Sequence, residues 1–153
     1  MLVREVMAIK GTALFTVTHD QPLPEAVASM SELDLGSLVV FENGQMVGLL
    51  TFREVIQSIG KAGAQWENLL VKDAMLATPI TASSDMPLDQ LRRLMVGRRQ
   101  RYLPVMDGNT LMGVVSFHDV AKAVLEEQSF ENRMLKNYIK NWPGDNEDPA
   151  SAE

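Results

Sequence analysis

The sequence predicts an α+β fold: two pseudo-symmetric β-α-β-β-α units followed by a C-terminal helix. Three observations predict it. The chain repeats itself, each copy carries a strand–turn–strand signature, and apolar residues flanking that signature recur at helical spacing. Shifted by 65 positions, Thr16 falls on Thr81, Asp20 on Asp85, Pro22 on Pro87, Met30 on Met95, Leu38 on Leu103, Val40 on Val105, Gly48 on Gly113, Phe52 on Phe117 and Val55 on Val120. Between these identities Thr51 lies over Ser116 and Glu54 over Asp119. Upstream, Val3-Arg4-Glu5-Val6-Met7 echoes Val71-Lys72-Asp73-Ala74-Met75. Two copies are too few for a solenoid and suit a pair in which each copy buries the other's apolar face.

Each unit opens on a short β-prone run, Leu14-Phe15-Thr16-Val17 or Pro79-Ile80-Thr81-Ala82. A helix follows. Pro24 before Glu25 suits a first turn, and Ala26, Val27, Met30 and Leu33 recur at three- and four-residue spacing, as do Leu88, Leu91, Leu94 and Met95. Next comes a hairpin. Asn43-Gly44 separates Ser37–Phe41 from Met46–Leu50, and Asp107-Gly108-Asn109 separates Leu103–Met106 from Leu111–Val115. Asn-Gly between β-branched runs marks a tight turn, because both central positions need positive φ. Closing helices are expected from Phe52 to about Ile59 and from Phe117 to about Gln128. The implied organisation is a first unit at 1–60, a flexible connection at 61–70, a second unit at 71–128, an amphipathic helix at 129–142 and a disordered acidic tail at 143–153.

Composition excludes several classes of function. With 153 residues and 46% hydrophobic content the chain has enough apolar material to fold. A net charge of −6 argues against a general nucleic-acid binder. There are no cysteines, so thiolate metal sites, disulfides and cysteine nucleophiles are out. His19 and His118 are too far apart in sequence to form a clustered metal motif, and no Walker sequence is present. No apolar run approaches the roughly 20 residues that span a bilayer, and no signal-peptide stretch opens the chain. A soluble cytoplasmic protein without membrane contact is expected.

The informative motif is Gly-apolar-apolar-Thr/Ser-x-x-acid. It occurs as Gly48-Leu49-Leu50-Thr51-Phe52-Arg53-Glu54 and as Gly113-Val114-Val115-Ser116-Phe117-His118-Asp119. A hydroxyl at a strand end becomes the N-cap of the next helix, and the acid three residues on lies in its first turn. The glycine admits a close neighbour, backbone or ligand. A hydroxyl and a carboxylate one turn apart also suit the two hydroxyls of a ribose, and the open N–H groups of a helix start attract phosphate. In register within a repeat, the two copies point to a paired site. Arg98-Arg99-Gln100-Arg101-Tyr102 places three guanidiniums before the second unit's hairpin, and guanidinium forks suit phosphate. The first unit has Leu35-Gly36-Ser37 there, without a base, so unequal clefts are expected.

In order and spacing, residues from about Val3 to Gln128 resemble a tandem pair of cystathionine β-synthase (CBS) domains, the Bateman module. The Val-x-x-x-Met openers ending at Met7 and Met75, Asp85-x-Pro-Leu, Leu103-Pro104-Val105 and the two Gly-x-x-Thr/Ser-x-x-acid segments carry the resemblance. It implies two CBS units packed sheet to sheet, with an adenosine ligand in the clefts between them: AMP foremost, with ADP, ATP, NAD(H) or S-adenosylmethionine as alternatives. It implies ribose contacts from Thr51, Glu54, Ser116 and Asp119. Glu54 departs from the family's aspartate. It further implies an adenine flanked by Ala13, Leu14 and Phe15 with Ile80 and Thr81, and polar edges at Lys10, Thr12 and Thr78. Phosphate contacts fall to Arg101, with Tyr102 beside it, and Arg53 and His118 share one variable slot of the two motifs. No catalytic residue and no metal is implied. The expected role is a regulatory sensor of energy or redox state that forms a homodimer and signals to a separate effector protein. The alternative is a structural dimerisation module with degenerate pockets. An enzyme lacks support, since no nucleophile stands with an activating base.

Overall fold

The computed structural model describes residues 1–11 and 14–140. The first half runs β1 (Thr16–Thr18), α2 (Leu23–Glu32), β2 (Ser37–Glu42), β3 (Gln45–Thr51) and α3 (Phe52–Ala62), preceded by α1 (Val3–Lys10). β1 pairs with β2 in parallel across the α2 crossover, and β2 and β3 form the hairpin. The Asn43-Gly44 turn takes positive φ at both residues, 51° and 76°, as its residue types demand. α2 starts with Pro24 in its first turn and buries Leu23, Ala26 and Met30 along one stripe.

The second half runs α5 (Leu88–Arg98), β5 (Tyr102–Asp107), β6 (Thr110–Ser116) and α6 (Phe117–Lys140). Its hairpin repeats the register break of the first, between Val105 and Met106 where the first has Val40 and Phe41. The opening strand expected at 79–82 does not form. Only Ala82 bridges Val105, in the register that Val17 holds to Val40 in the first half. The β-branched Thr-Val-Thr of β1 becomes Thr81-Ala82-Ser83, which has weaker strand preference. Ser84 instead turns to the hairpin, its N–H and hydroxyl both donating to the Asp107 carboxylate at 3.0 and 2.6 Å. Just upstream, β4 (Leu76–Ala77) adds to β3, so the sheets have four strands and two.

The cores do not follow the sequence boundaries. Val3 and Val6 of α1 lie in one core with Leu88, Leu91, Met95, Leu103, Val105 and Val115 of the second half. Val71 of the short helix α4 (Val71–Ala74) lies with Val17, Leu23, Met30, Leu38, Val40 and Leu50 of the first. Matched backbone bonds tie each exchanged segment down. Leu88 N–H donates to the Met1 carbonyl and Leu23 N–H to that of Leu69, both at 2.8 Å. Each repeat's core is thus completed by the segment that precedes the other repeat in sequence. Val39 and Leu49 are buried yet belong to neither core. They sit on the back face of the first sheet, opposite Leu38, Val40 and Leu50, because strand side chains alternate. Their counterpart on the second sheet, Pro104, is buried too. The two units meet through these back faces, sheet to sheet.

Two further expectations change. The connection at 61–70 is ordered: α3 continues through Ala62, Gly63–Asn68 forms a 3₁₀ helix, and Trp66 and Leu69 pack on the first core. Its glycines mattered less than its apolar anchors, and Gly63 with φ 58° ends α3 as a C-cap. The separate helix expected from 129 is instead the far end of α6, 24 residues without a break. No glycine or proline lies between Gln128 and Phe130, so nothing stops the helix there. Beyond Gln128, Phe130, Met134, Leu135, Tyr138 and Ile139 are each more than half exposed. Thr12, Ala13, Trp142 and the tail at 143–153 lie outside the described residues.

Candidate functional site

The two helix-start motifs occupy equivalent places, at the β3–α3 and β6–α6 junctions. They bond differently. Thr51 has the extended backbone of an N-cap, yet its hydroxyl donates to Glu54 Oε2 at 2.5 Å instead of capping the helix. Both residues are buried, at 9% and 7% exposure. In the second motif Ser116 N–H donates to Asp119 Oδ2 at 2.8 Å, and Asp119 N–H donates to Ser116 Oγ at 3.1 Å. That is the reciprocal capping box. A glutamate at this position can also close the box, as Glu5 does in α1 by accepting from the Leu2 N–H at 2.6 Å, so the turn to the hydroxyl is particular to Glu54.

Asp119 has a second partner. Lys10, at the end of α1, places its ammonium 2.7 Å from Asp119 Oδ2 and 2.6 Å from the Val114 carbonyl. Burial raises the Asp119 pKa. Hydrogen bonds from Lys10 and from the N–H and hydroxyl of Ser116, with the Lys10 charge, outweigh it and hold the carboxyl below its usual value.

The motif glycines admit side chains of the exchanged segments. A Cβ at Gly48 would crowd Met75 and come within 3.0 Å of the Leu76 carbonyl, and one at Gly113 would strike the end of Met7. The Met openers and the motif glycines are therefore two sides of one contact, made twice. In both halves a methionine approaches the motif glycine. Gly36 makes a third such contact: any side chain there would collide with the Tyr102 hydroxyl, which reaches over from the other half.

Two clefts lie between the halves, and each combines one half's motif with the other half's hairpin entrance. The smaller, about 320 Å³, is lined by Thr51, Phe52, Arg53 and Ile56 opposite Arg99, Gln100, Arg101 and Tyr102. The larger, about 670 Å³, is lined by Ser116, Phe117, His118 and Ala121 opposite Asp34, Leu35, Gly36 and Ser37, with Lys10, Leu14, Phe15, Val114, Arg101 and Tyr102 completing it. Under the 65-residue shift the opposed sets correspond position by position. Three arginines face the smaller cleft. The larger has Lys10, Arg101 and one acid, Asp34.

Of the residues singled out from sequence, Thr51 and Arg53 line the smaller cleft, Lys10, Leu14, Phe15, Ser116 and His118 the larger, and Arg101 and Tyr102 both. Glu54 and Asp119 line neither: Glu54 is buried against Thr51, and Asp119 lies beside Lys10, which does line the larger cleft. Thr78, Ile80 and Thr81 also line neither. Ile80 packs on the second core, and Thr78 is exposed in a left-handed turn with φ 51°. With the second opening strand reduced to one bridge, these residues have no sheet to present them to a cleft. Thr12 lies outside the described residues. Sequence reasoning passed over Asp34, Phe52 and Phe117. The signal was available: Asp34 falls on Arg99 under the shift, and each motif hydroxyl is followed by phenylalanine.

Among the described residues no group of acids and histidines is placed to hold a metal, and no helix is long and apolar enough to cross a membrane.

Comparison with known proteins matches this architecture. The CBS domain family model fits residues 3–61 and 71–126. The mitochondrial CBS domain-containing protein CBSX3 of Arabidopsis thaliana is 29% identical over 147 residues, which cover 90% of this chain and 71% of that protein. The crystal structure of the CBS-domain containing protein ATU1752 from Agrobacterium tumefaciens aligns with a TM-score of 0.76 at 29% identity, over 80% of this chain and 92% of that one. CBSX2, whose crystal structure is in complex with AMP, aligns with a TM-score of 0.70 at 21% identity, over 83% and 98% of the two chains. With both matched segments coinciding with the two halves of one paired fold, this chain belongs to the CBS-domain family and carries two CBS domains in tandem.

Proposed function

We propose that the chain is a regulatory module, not an enzyme, that binds an adenosine ligand between its halves. AMP is the first candidate, ahead of ADP, ATP, NAD(H) and S-adenosylmethionine. The observation that carries this reading is the larger cleft. At about 670 Å³ it falls within the range of small-molecule sites, and it draws its walls from both halves. A ligand there contacts both CBS domains at once, so its binding energy bears on how they pack. Such coupling requires only that the ligand prefer one packing over another. The AMP complex of CBSX2, which shares the fold, supports the choice of ligand class. Ser116 lines the cleft and takes the ribose, Asp119 reaches it from beside Lys10, Leu14 flanks the base, and Arg101 takes phosphate, with His118 at the edge. In the smaller cleft Thr51 and Arg53 face Arg99 and Arg101, an anion-favouring set whose carboxylate, Glu54, is already engaged. The output passes to a separate protein in the cytoplasm. The exposed apolar residues of distal α6 support a homodimer, because a helix rarely leaves such a stripe in water.

Titration calorimetry with AMP, ATP, NADH and S-adenosylmethionine tests the reading. At least one should bind, and Asp119→Ala and Arg101→Ala should each weaken it by tenfold or more, about 1.4 kcal/mol. Light scattering should find a dimer, and loss of it when the chain ends before Phe130. A second reading has its own support. Both motif carboxylates already have protein partners, Thr51 and Lys10, as in a structural dimerisation module with degenerate pockets. Binding of none of the four compounds favours that module.

A further inference from the structure

We propose that Lys10 is a built-in competitor for the larger cleft, its ammonium occupying the Asp119 carboxylate until a ligand displaces it. The proposal rests on the adenosine-ligand reading above and specifies how that site is controlled. Lys10 Nζ lies 2.7 Å from Asp119 Oδ2 and 2.6 Å from the Val114 carbonyl. An ammonium only donates, and both partners only accept. Lys10 lines the larger cleft and Asp119 does not, so a ribose hydroxyl that donates to this carboxylate from the cleft takes the place of the ammonium. The pair is partly enclosed, with side chains 30% and 17% exposed, which makes it stronger than an open surface pair.

The surroundings suit release. Lys10 is the last residue of α1, and Gly11 follows with φ 95° and open space around its Cα. The lysine can swing away without disturbing Val3 and Val6, which hold α1 in the core. Displaced, it remains at the wall of the same cleft. The first half has no equivalent. The opener shift that takes Val3 to Val71 and Met7 to Met75 takes Lys10 to Thr78, which is exposed and uncharged. Among the described residues, only the larger cleft is held in this way.

Adenosine separates competition from phosphate attraction, because it carries the ribose and base without the phosphate. Calorimetry should find that Lys10→Met, which keeps the aliphatic stem, binds adenosine about tenfold more tightly than the native protein, the scale of a hydrogen bond to a charged group. The gain for AMP should be smaller, since the variant also loses a cation near the phosphate. Lys10→Arg keeps the charge and should stay within about twofold of native. In parallel, acylation of lysines by an N-hydroxysuccinimide ester, mapped by mass spectrometry, should rise at Lys10 on addition of AMP and in Asp119→Asn. Adenosine binding that Lys10→Met leaves unchanged or weakens, or protection of Lys10 by AMP, overturns the competitor and leaves the adenosine reading standing. Binding of adenosine and AMP to neither protein overturns both.

Discussion

Thr51–Glu54 and Ser116–Asp119 began as one motif and now do different work. The first has turned inward: a glutamate carboxylate, buried and bound by its own threonine, stands behind a cleft edged by Arg53, Arg99 and Arg101. The second caps its helix and shares its carboxylate with a lysine from α1, beside a cleft of twice the volume. One methylene separates the two acids, and their partners differ. At the third helix position Asp119 meets the backbone N–H of its cap, as Glu5 does in α1, whereas Glu54 takes the hydroxyl. The lesson is that a repeat preserves positions more faithfully than chemistry. The clefts differ because the residues opposite each motif come from the other half. Gly36 and Asp34 face one, and Arg101 and Arg99 face the other.

The comparison breaks most readily at the exchanged segments. If α1 belongs to the second core, deleting residues 1–11 removes Val3 and Val6 from it and costs about 4 kcal/mol in denaturant unfolding. Hydrogen exchange should then loosen α5, β5 and β6 well before β2 and β3. Equal loosening of both halves would mean that the cores are not exchanged as described. A smaller effect concerns the acid of the second motif. The Asp119 carboxyl is held below its ordinary value of 3.8, so the folded state is favoured while it is ionised. That contribution is complete above the ordinary value and is lost as pH falls through the lowered one. Asp119→Asn should therefore flatten the stability profile on the acid side of pH 4. Lys10→Met should flatten it in part, because it removes the Lys10 bond and charge but leaves the Ser116 bonds. The smallest effect tests the two helix ends. Asp34 and Arg99 are equivalent and both left-handed, with φ 52° and 53°. Aspartate adopts that conformation at less cost than arginine, so Arg99→Gly should stabilise by up to about 1 kcal/mol and Asp34→Gly by less.

Much of this was legible along the chain. The 65-residue echo located both hairpins, the α2 and α5 helices and both motif junctions, because strand alternation, helical spacing and the Asn-Gly turn are local signals. Arg101 and Tyr102 were legible as a basic, aromatic entrance to a strand. Other features were not. Pro79–Ala82 reads like a strand, but its neighbour Ser84 satisfies Asp107 and the pairing stops at one bridge. Residues 61–70 read like a flexible connection, but Trp66 and Leu69 anchor the segment.

By itself the sequence determined the duplication, the class of each element, the helix-start motifs and an acidic, cysteine-free composition. Each of these depends on residues within a few positions of one another or on direct self-comparison. Only the tertiary structure decided that α1 completes the far core, that Met7 and Met75 cover the motif glycines, and that Lys10 rests on Asp119. Those contacts join residues as much as 109 positions apart, and no local preference encodes which apolar face or which acceptor a distant side chain will meet.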